Sequence, residues 1–218
     1  MRGETSGRTG GAAGVLVVAL FVAAALIDPP RPAFDAGGSE FADFYGSHAT
    51  RIAIESALLA LAAPLFLWFL VTARSLARPA GVEARRVAAA IVACGSVWLA
   101  LFMVDVSTLA VGALRPRSPE VASALQDLEW LTMGIGAPLV SALLAAAAAL
   151  SLRFGVVWPR RVGLLAAVAA PLYLLRTGTL FTATGAFAAD GLLGLYIPVV
   201  ALVSWLLAAS LAMALPRR

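Results

Sequence analysis

Six apolar runs divide this chain, at about residues 12–28, 51–73, 87–114, 129–152, 162–182 and 192–215. Most match the roughly 20 residues that a helix needs to cross a bilayer. Inside lipid a segment must satisfy its own backbone hydrogen bonds, which a helix does. The pattern predicts an all-α fold: a polytopic transmembrane bundle of six helices with the lipid bilayer as its solvent. Composition agrees, because only 13% of the 218 residues are charged where a soluble domain has roughly 25%.

All sixteen basic residues are arginine, and they sit at the ends of the apolar runs rather than in one patch. The net charge of +4 therefore points to membrane anchoring, not to nucleic acid. Alternating spans group Arg2, Arg8, Arg74, Arg78, Arg85, Arg86, Arg153, Arg160, Arg161, Arg217 and Arg218 on one side. Arg31, Arg51, Arg115, Arg117 and Arg176 fall toward the other. Cytoplasmic loops carry the excess of arginine, so both termini are expected in the cytoplasm of a multi-pass plasma-membrane protein. Residues 1–11, polar and glycine-rich, read as a disordered cytoplasmic tail. The first run resembles a signal peptide in having arginines before an apolar core, but a retained helix gives the better charge topology for all that follows.

Several chemistries are excluded by what the chain lacks. Without lysine there is no Schiff base and no lysine nucleophile. The single cysteine, Cys94, has no partner for an intramolecular disulfide, and His48 is the only histidine. Bis-histidine haem and three-histidine zinc sites are therefore out of reach. No HExxH, GxSxG or phosphate loop occurs. No metal and no cofactor is expected, and no residue is assigned as catalytic.

The longest polar connection spans residues 28–50 and is acidic: Asp28, Asp35, Glu40 and Asp43 surround Arg31. Prolines 29, 30 and 32 hold its first part extended. Ser39 before Glu40 reads as a helix N-cap, and that helix runs on into the second span unless Gly46 bends it. Pro64 should kink the second span. Ser118-Pro119-Glu120 is a second helix start, with proline at the first helical position.

On one continuous helix, Tyr45, His48, Arg51 and Glu55 share a face at spacings of three and four. With the topology above, Glu55, Asp105 and Arg176 all fall in the outer half of the membrane. Ionisable groups there need partners or water. Two arrangements fit. One is an internal ion-pair network that fixes helix packing. The other is an outward-open pocket between the second, third and fifth spans for a small polar molecule or lipid headgroup, lined by Tyr45, His48, Arg51, Glu55, Asp105 and Arg176. Phe66, Trp68, Phe69 and Trp158 read as aromatic anchors at the cytoplasmic interface. Glu55, Glu129 and Asp190 precede Pro64, Pro138 and Pro198 by eight or nine positions, a pattern that fits a degenerate helix-hairpin repeat or coincidence.

The segments FDAGGSEFADFYGSHATR, LLALAAPLFLWFL and SPEVASALQDLEW, with the FYxxH element at Phe44-Tyr45 to His48, resemble a broad group of uncharacterised actinobacterial six-helix integral membrane proteins. The resemblance covers most of the chain and implies the same fold, with no activity to carry over. The pocket arrangement implies binding, sensing or assisted transport. A proton-linked transporter subunit, possible as a homo-oligomer, and an enzyme acting on a lipid or isoprenoid are the alternatives.

Overall fold

A computed structural model describes residues 2–33, 35–115, 118–182, 184–188 and 190–215, with the side chains of residues 2–6 left aside. Seven α-helices are present among the described residues: α1 (Arg2–Ile27), α2 (Gly38–Ser47), α3 (Ala49–Ala77), α4 (Val82–Leu114), α5 (Pro119–Leu152), α6 (Arg160–Leu174) and α7 (Ile197–Ala214). A 3₁₀ segment, Leu175–Leu180, extends α6, and one π-helical turn, Leu192–Tyr196, leads into α7. Six of the resulting segments are long and apolar enough to cross a membrane. Arg117, Arg217 and Arg218 lie outside the described residues.

Many small side chains turn inward, and many large apolar ones face outward. Alanines 73, 77, 84, 88, 137, 147, 166 and 209 are buried, whereas Leu16, Leu61, Trp68, Val97, Val168 and Val200 are exposed. An apolar exterior over a core of small residues is the packing expected where lipid, not water, is the solvent. The core centres on an aromatic group. Phe69 packs edge-on to Trp205 with ring centroids 6.1 Å apart, and Trp158 meets Trp205 at 5.7 Å. The Trp158 indole donates to the Ala209 carbonyl at 3.2 Å. Phe66, Phe69 and Trp158 are thus core residues, not interfacial anchors; Trp68 alone of that set faces outward.

The glycine-rich start of the chain, expected as a disordered tail, is helical from Arg2. Its glycines are the reason α1 packs closely. Gly10 lies against Thr72 of α3, Gly11 against the Ser210 carbonyl and Ala214 backbone of α7, and Gly14 against Ser210 and Phe69. Small residues at this spacing let two backbones approach, as they do in intramembrane helix pairs. The start of α1 therefore runs beside the end of α7. Arg74, Arg78, Arg85, Arg86, Arg153, Arg160 and Arg161 belong to that same end of the bundle, hereafter the basic end.

The opposite, acidic end is roofed by the 28–37 connection and α2. That helix begins earlier than anticipated, with Gly37 rather than Ser39 at its N-cap. Phe41, Phe44 and Tyr45 on its inner face join Ile52, Leu109 and Ala122 in a small second core. Ser118 does occupy the N-cap position of α5, with Pro119 following, but its hydroxyl makes no capping bond. Pro64 lies inside an α3 that stays helical throughout.

Candidate functional site: an acidic cluster above a largely apolar cavity

The helix expected to carry Tyr45, His48, Arg51 and Glu55 on one face is broken at His48. There the backbone leaves helical geometry (φ −114°, ψ 14°) and α3 starts afresh at Ala49. The shared face is lost with it. His48 is half-buried at the joint, its Nδ1 3.1 Å from the Phe44 carbonyl and 2.9 Å from the Ser47 hydroxyl. Arg51 is exposed and donates from Nε to the Ile27 carbonyl at 3.0 Å, closing the end of α1. This is the favourable place for a cation at a helix C-terminus. Neither residue faces the interior.

Glu55 does face inward, yet its partner is neither Arg51 nor Arg176. It is Arg31, from the proline-rich connection. The Arg31 guanidinium is a three-way clasp: Nε to Asp28 at 3.3 Å, one terminal nitrogen to Glu55 at 3.4 Å, and the other to Glu129. The planar fork of arginine suits several carboxylates at once. Prolines 29, 30 and 32 stiffen the segment that aims it. Burial alone would lower the pKa of Arg31, but the charges of Glu129, Asp28 and Glu55 outweigh that and raise it. Arg31 is permanently charged.

Sequence reasoning passed over Arg31, Asp28 and Glu129. A signal for Glu129 exists. Gln126, Glu129 and Thr132 are polar at three-residue spacing on an otherwise apolar helix, and all three are buried. The Glu55–Pro64 and Glu129–Pro138 spacings also gain a structural counterpart, because both glutamates grip the same guanidinium; Asp190 sits in a loop apart from them.

Beneath the clasp lies a cavity of about 440 Å³, within the size range of small-molecule sites. Asp28, Glu55, Asp105 and Arg176 line its polar part, with Thr132 and Tyr173. Asp105 projects from α4 about nine residues before the helix ends, roughly 14 Å along its axis. Arg176 is carried by the 3₁₀ turn that follows α6, where the tighter winding after Pro171 turns it inward. Both are almost completely buried, at 2% and 4% exposure. They face the same cavity without forming an ion pair among the described residues. Asp105 Oδ1 and Arg176 Nε have no hydrogen-bond partner, while a terminal Arg176 nitrogen lies against the Met133 sulfur.

Tyr45 is fully buried behind the clasp, against Gly112 of α4, with its hydroxyl unpartnered. It does not line the cavity. Burial, and then the charge of Glu129, pushes its phenol well above the usual tyrosine range. Of the six residues singled out from sequence, Glu55, Asp105 and Arg176 come together; Tyr45 is adjacent, and His48 and Arg51 stand outside.

The rest of the cavity wall is apolar and aromatic. Trp98 stacks on Phe102 with centroids 5.3 Å apart, and Phe21 meets Phe102 edge-on at 5.7 Å. Val22 of α1 and Val200 of α7 also line it, yet are 47% and 63% exposed. The cavity therefore reaches the outer surface of the bundle between α1 and α7.

Comparison with known protein families, with curated proteins and with solved structures gives no match.

Proposed function

We propose that this is a multi-pass plasma-membrane protein whose cavity binds an amphiphile or lipid headgroup, and that it acts by binding, sensing or assisting transport rather than by catalysis. The observation that carries this reading is the combination of two unpartnered buried atoms, Asp105 Oδ1 and Arg176 Nε, with a cavity polar at one end and apolar over the rest of its wall. Buried polar atoms are normally hydrogen-bonded, and these two belong to residues that line the cavity, which favours a ligand whose polar end meets their side chains. The side opening beside Val22 and Val200 supports access from the lipid phase.

The excess of arginine at the basic end supports an orientation with that end in the cytoplasm and the acidic end outside. We place the chain with the six-helix actinobacterial group on the segments quoted above. Proton-linked transport draws less support. The buried acids Glu55, Asp105 and Glu129 all lie toward the acidic end. Toward the basic end, the buried Ser151 and Ser210 hydroxyls donate to their own helices.

A diazirine-bearing monoacylglycerol, photolysed with the protein in nanodiscs, tests the reading. Labelling should concentrate on 21–25 and 195–203, and Val199→Trp should reduce it at least fivefold. Labelling spread evenly over outward residues such as Leu16 and Leu211, and unchanged by Val199→Trp, would sink the proposal.

A further inference from the structure

The charges around the cavity do not balance. Asp28, Glu55, Glu129 and Asp105 contribute four carboxylates, and Arg31 and Arg176 two guanidiniums. Arg51 stands at the rim, exposed and committed to the Ile27 carbonyl, where water screens it. When all are ionised, two negative charges are left over; Asp28, with 32% of its side chain exposed, is partly screened as Arg51 is, which leaves at least one in a region of low dielectric. Such a surplus is costly unless protons or a cation offset it.

The cavity indicates what kind of cation. Among the described residues, no three acids, histidines or cysteines gather as metal ligands, and Arg31 already fills the convergence of Asp28, Glu55 and Glu129. Asp105, whose Oδ1 has no hydrogen-bond partner, instead lines a space walled by Phe21, Trp98, Phe102 and Tyr173. Aromatic faces attract organic cations, quaternary ammonium above all, and do so most strongly away from water. A small inorganic ion would gain nothing from the apolar remainder of the volume; a hydrophobic group would.

Resting on the binding reading above, we infer that the cavity is a site for a lipophilic organic cation, an ammonium-bearing amphiphile. Its charge sits between Asp105 and the Trp98–Phe102 pair, and its apolar part lies along α7 toward the Val22–Val200 opening. Arg176 lines the same cavity but forms no ion pair with Asp105, so the ligand's charge has no bonded guanidinium to displace. The ammonium comes either from a choline-type lipid head or from a free lipophilic amine.

Tetraphenylphosphonium and tetraphenylborate, ions of nearly equal shape and opposite sign, provide the test. Equilibrium dialysis is run on the full chain in dodecyl maltoside, with empty micelles as the blank. Saturable one-to-one binding of the phosphonium is expected, with no saturable binding of the borate. Asp105→Asn should weaken it at least tenfold. That variant keeps the side-chain shape, and Oδ1 has no partner to lose; Val199→Trp, which fills the cavity, is the second variant and should abolish binding. Lysophosphatidylcholine displacing the phosphonium assigns the head to a lipid, and displacement by dodecyltrimethylammonium alone assigns it to a free amine. Displacement by neither, equal binding of the borate, or phosphonium binding unaffected by both variants overturns the inference. Cavity labelling by the neutral monoacylglycerol together with no phosphonium binding refutes the cation preference while leaving the binding reading intact. Loss of both refutes the two together.

Discussion

Arg31 and Glu129 are 98 positions apart and share a hydrogen bond between a loop guanidinium and a carboxylate buried in α5. Glu129 is 1% exposed, and Arg31 is the cation its carboxylate meets among the described residues. Removing one member of such a pair leaves an uncompensated buried charge, which costs about 3–5 kcal/mol in a fully buried setting. Arg31 is partly exposed, so Arg31→Met should cost less, about 2 kcal/mol by the same argument. Arg31→Met combined with Glu129→Gln should recover part of the loss. Thermal melts in detergent over the double-mutant cycle check this, and strictly additive effects would contradict the clasp.

The α1 interface makes a contrast between glycines. A side chain at Gly14 meets Ser210 and Phe69, whereas one at Gly46 meets nothing within 4 Å. Gly14→Leu should destabilise by about 1–3 kcal/mol through overpacking. Gly46→Ala, in the exposed part of α2, should stabilise by about 0.5–1 kcal/mol. Melting temperatures of the two variants should move in opposite directions.

Tyr45 carries a hydroxyl that is buried without a partner. Tyr45→Phe removes an unsatisfied group, so stability at neutral pH should be unchanged or higher by about 1 kcal/mol. At alkaline pH the direction follows from the raised phenol. Above pH about 10 the unfolded tyrosine ionises while the folded one stays protonated. Unfolding then releases a proton, and stability falls as pH rises. Melts between pH 8 and pH 11 should show a shallower alkaline loss in Tyr45→Phe than in the parent.

Orientation is open to a labelling experiment in a Cys94→Ala background. Cysteine replacing Ser47, exposed at the acidic end, should react with a membrane-impermeant maleimide added to intact cells. Cysteine replacing Arg85, exposed at the basic end, should react only after permeabilisation. The reverse pattern would invert the proposed topology.

The six spans were legible because apolar length and arginine punctuation are local properties of the chain. Glu55, Asp105 and Arg176 were legible for a related reason: each is an ionisable residue inside an apolar run, and topology alone gives its depth. The partner of Glu55 was not. Depth along a helix says nothing about azimuth, and Arg31 sits in a loop whose charge looked like ordinary solvent-facing polarity. His48 misled because a spacing of three and four has meaning only on an unbroken helix, and one non-helical residue cancels it. The glycines of residues 7–14 misled differently, since the same composition that favours disorder in water favours close helix contact in lipid.

The clasp also bears on how the chain is made. Arg31 leaves the ribosome before Glu55, and Glu55 before Glu129. An acid at the centre of a span raises the free energy of insertion by about 2.5–3.5 kcal/mol, and one nearer a helix end, as Glu55 and Glu129 are, by less. Here the opposite charge is synthesised first, tethered to the end of α1, where each later glutamate can meet it. The order of residues along the chain thus supplies a counter-ion ahead of the need for it, and moving Arg31 to a position after α5 would leave α3 and α5 to insert without one.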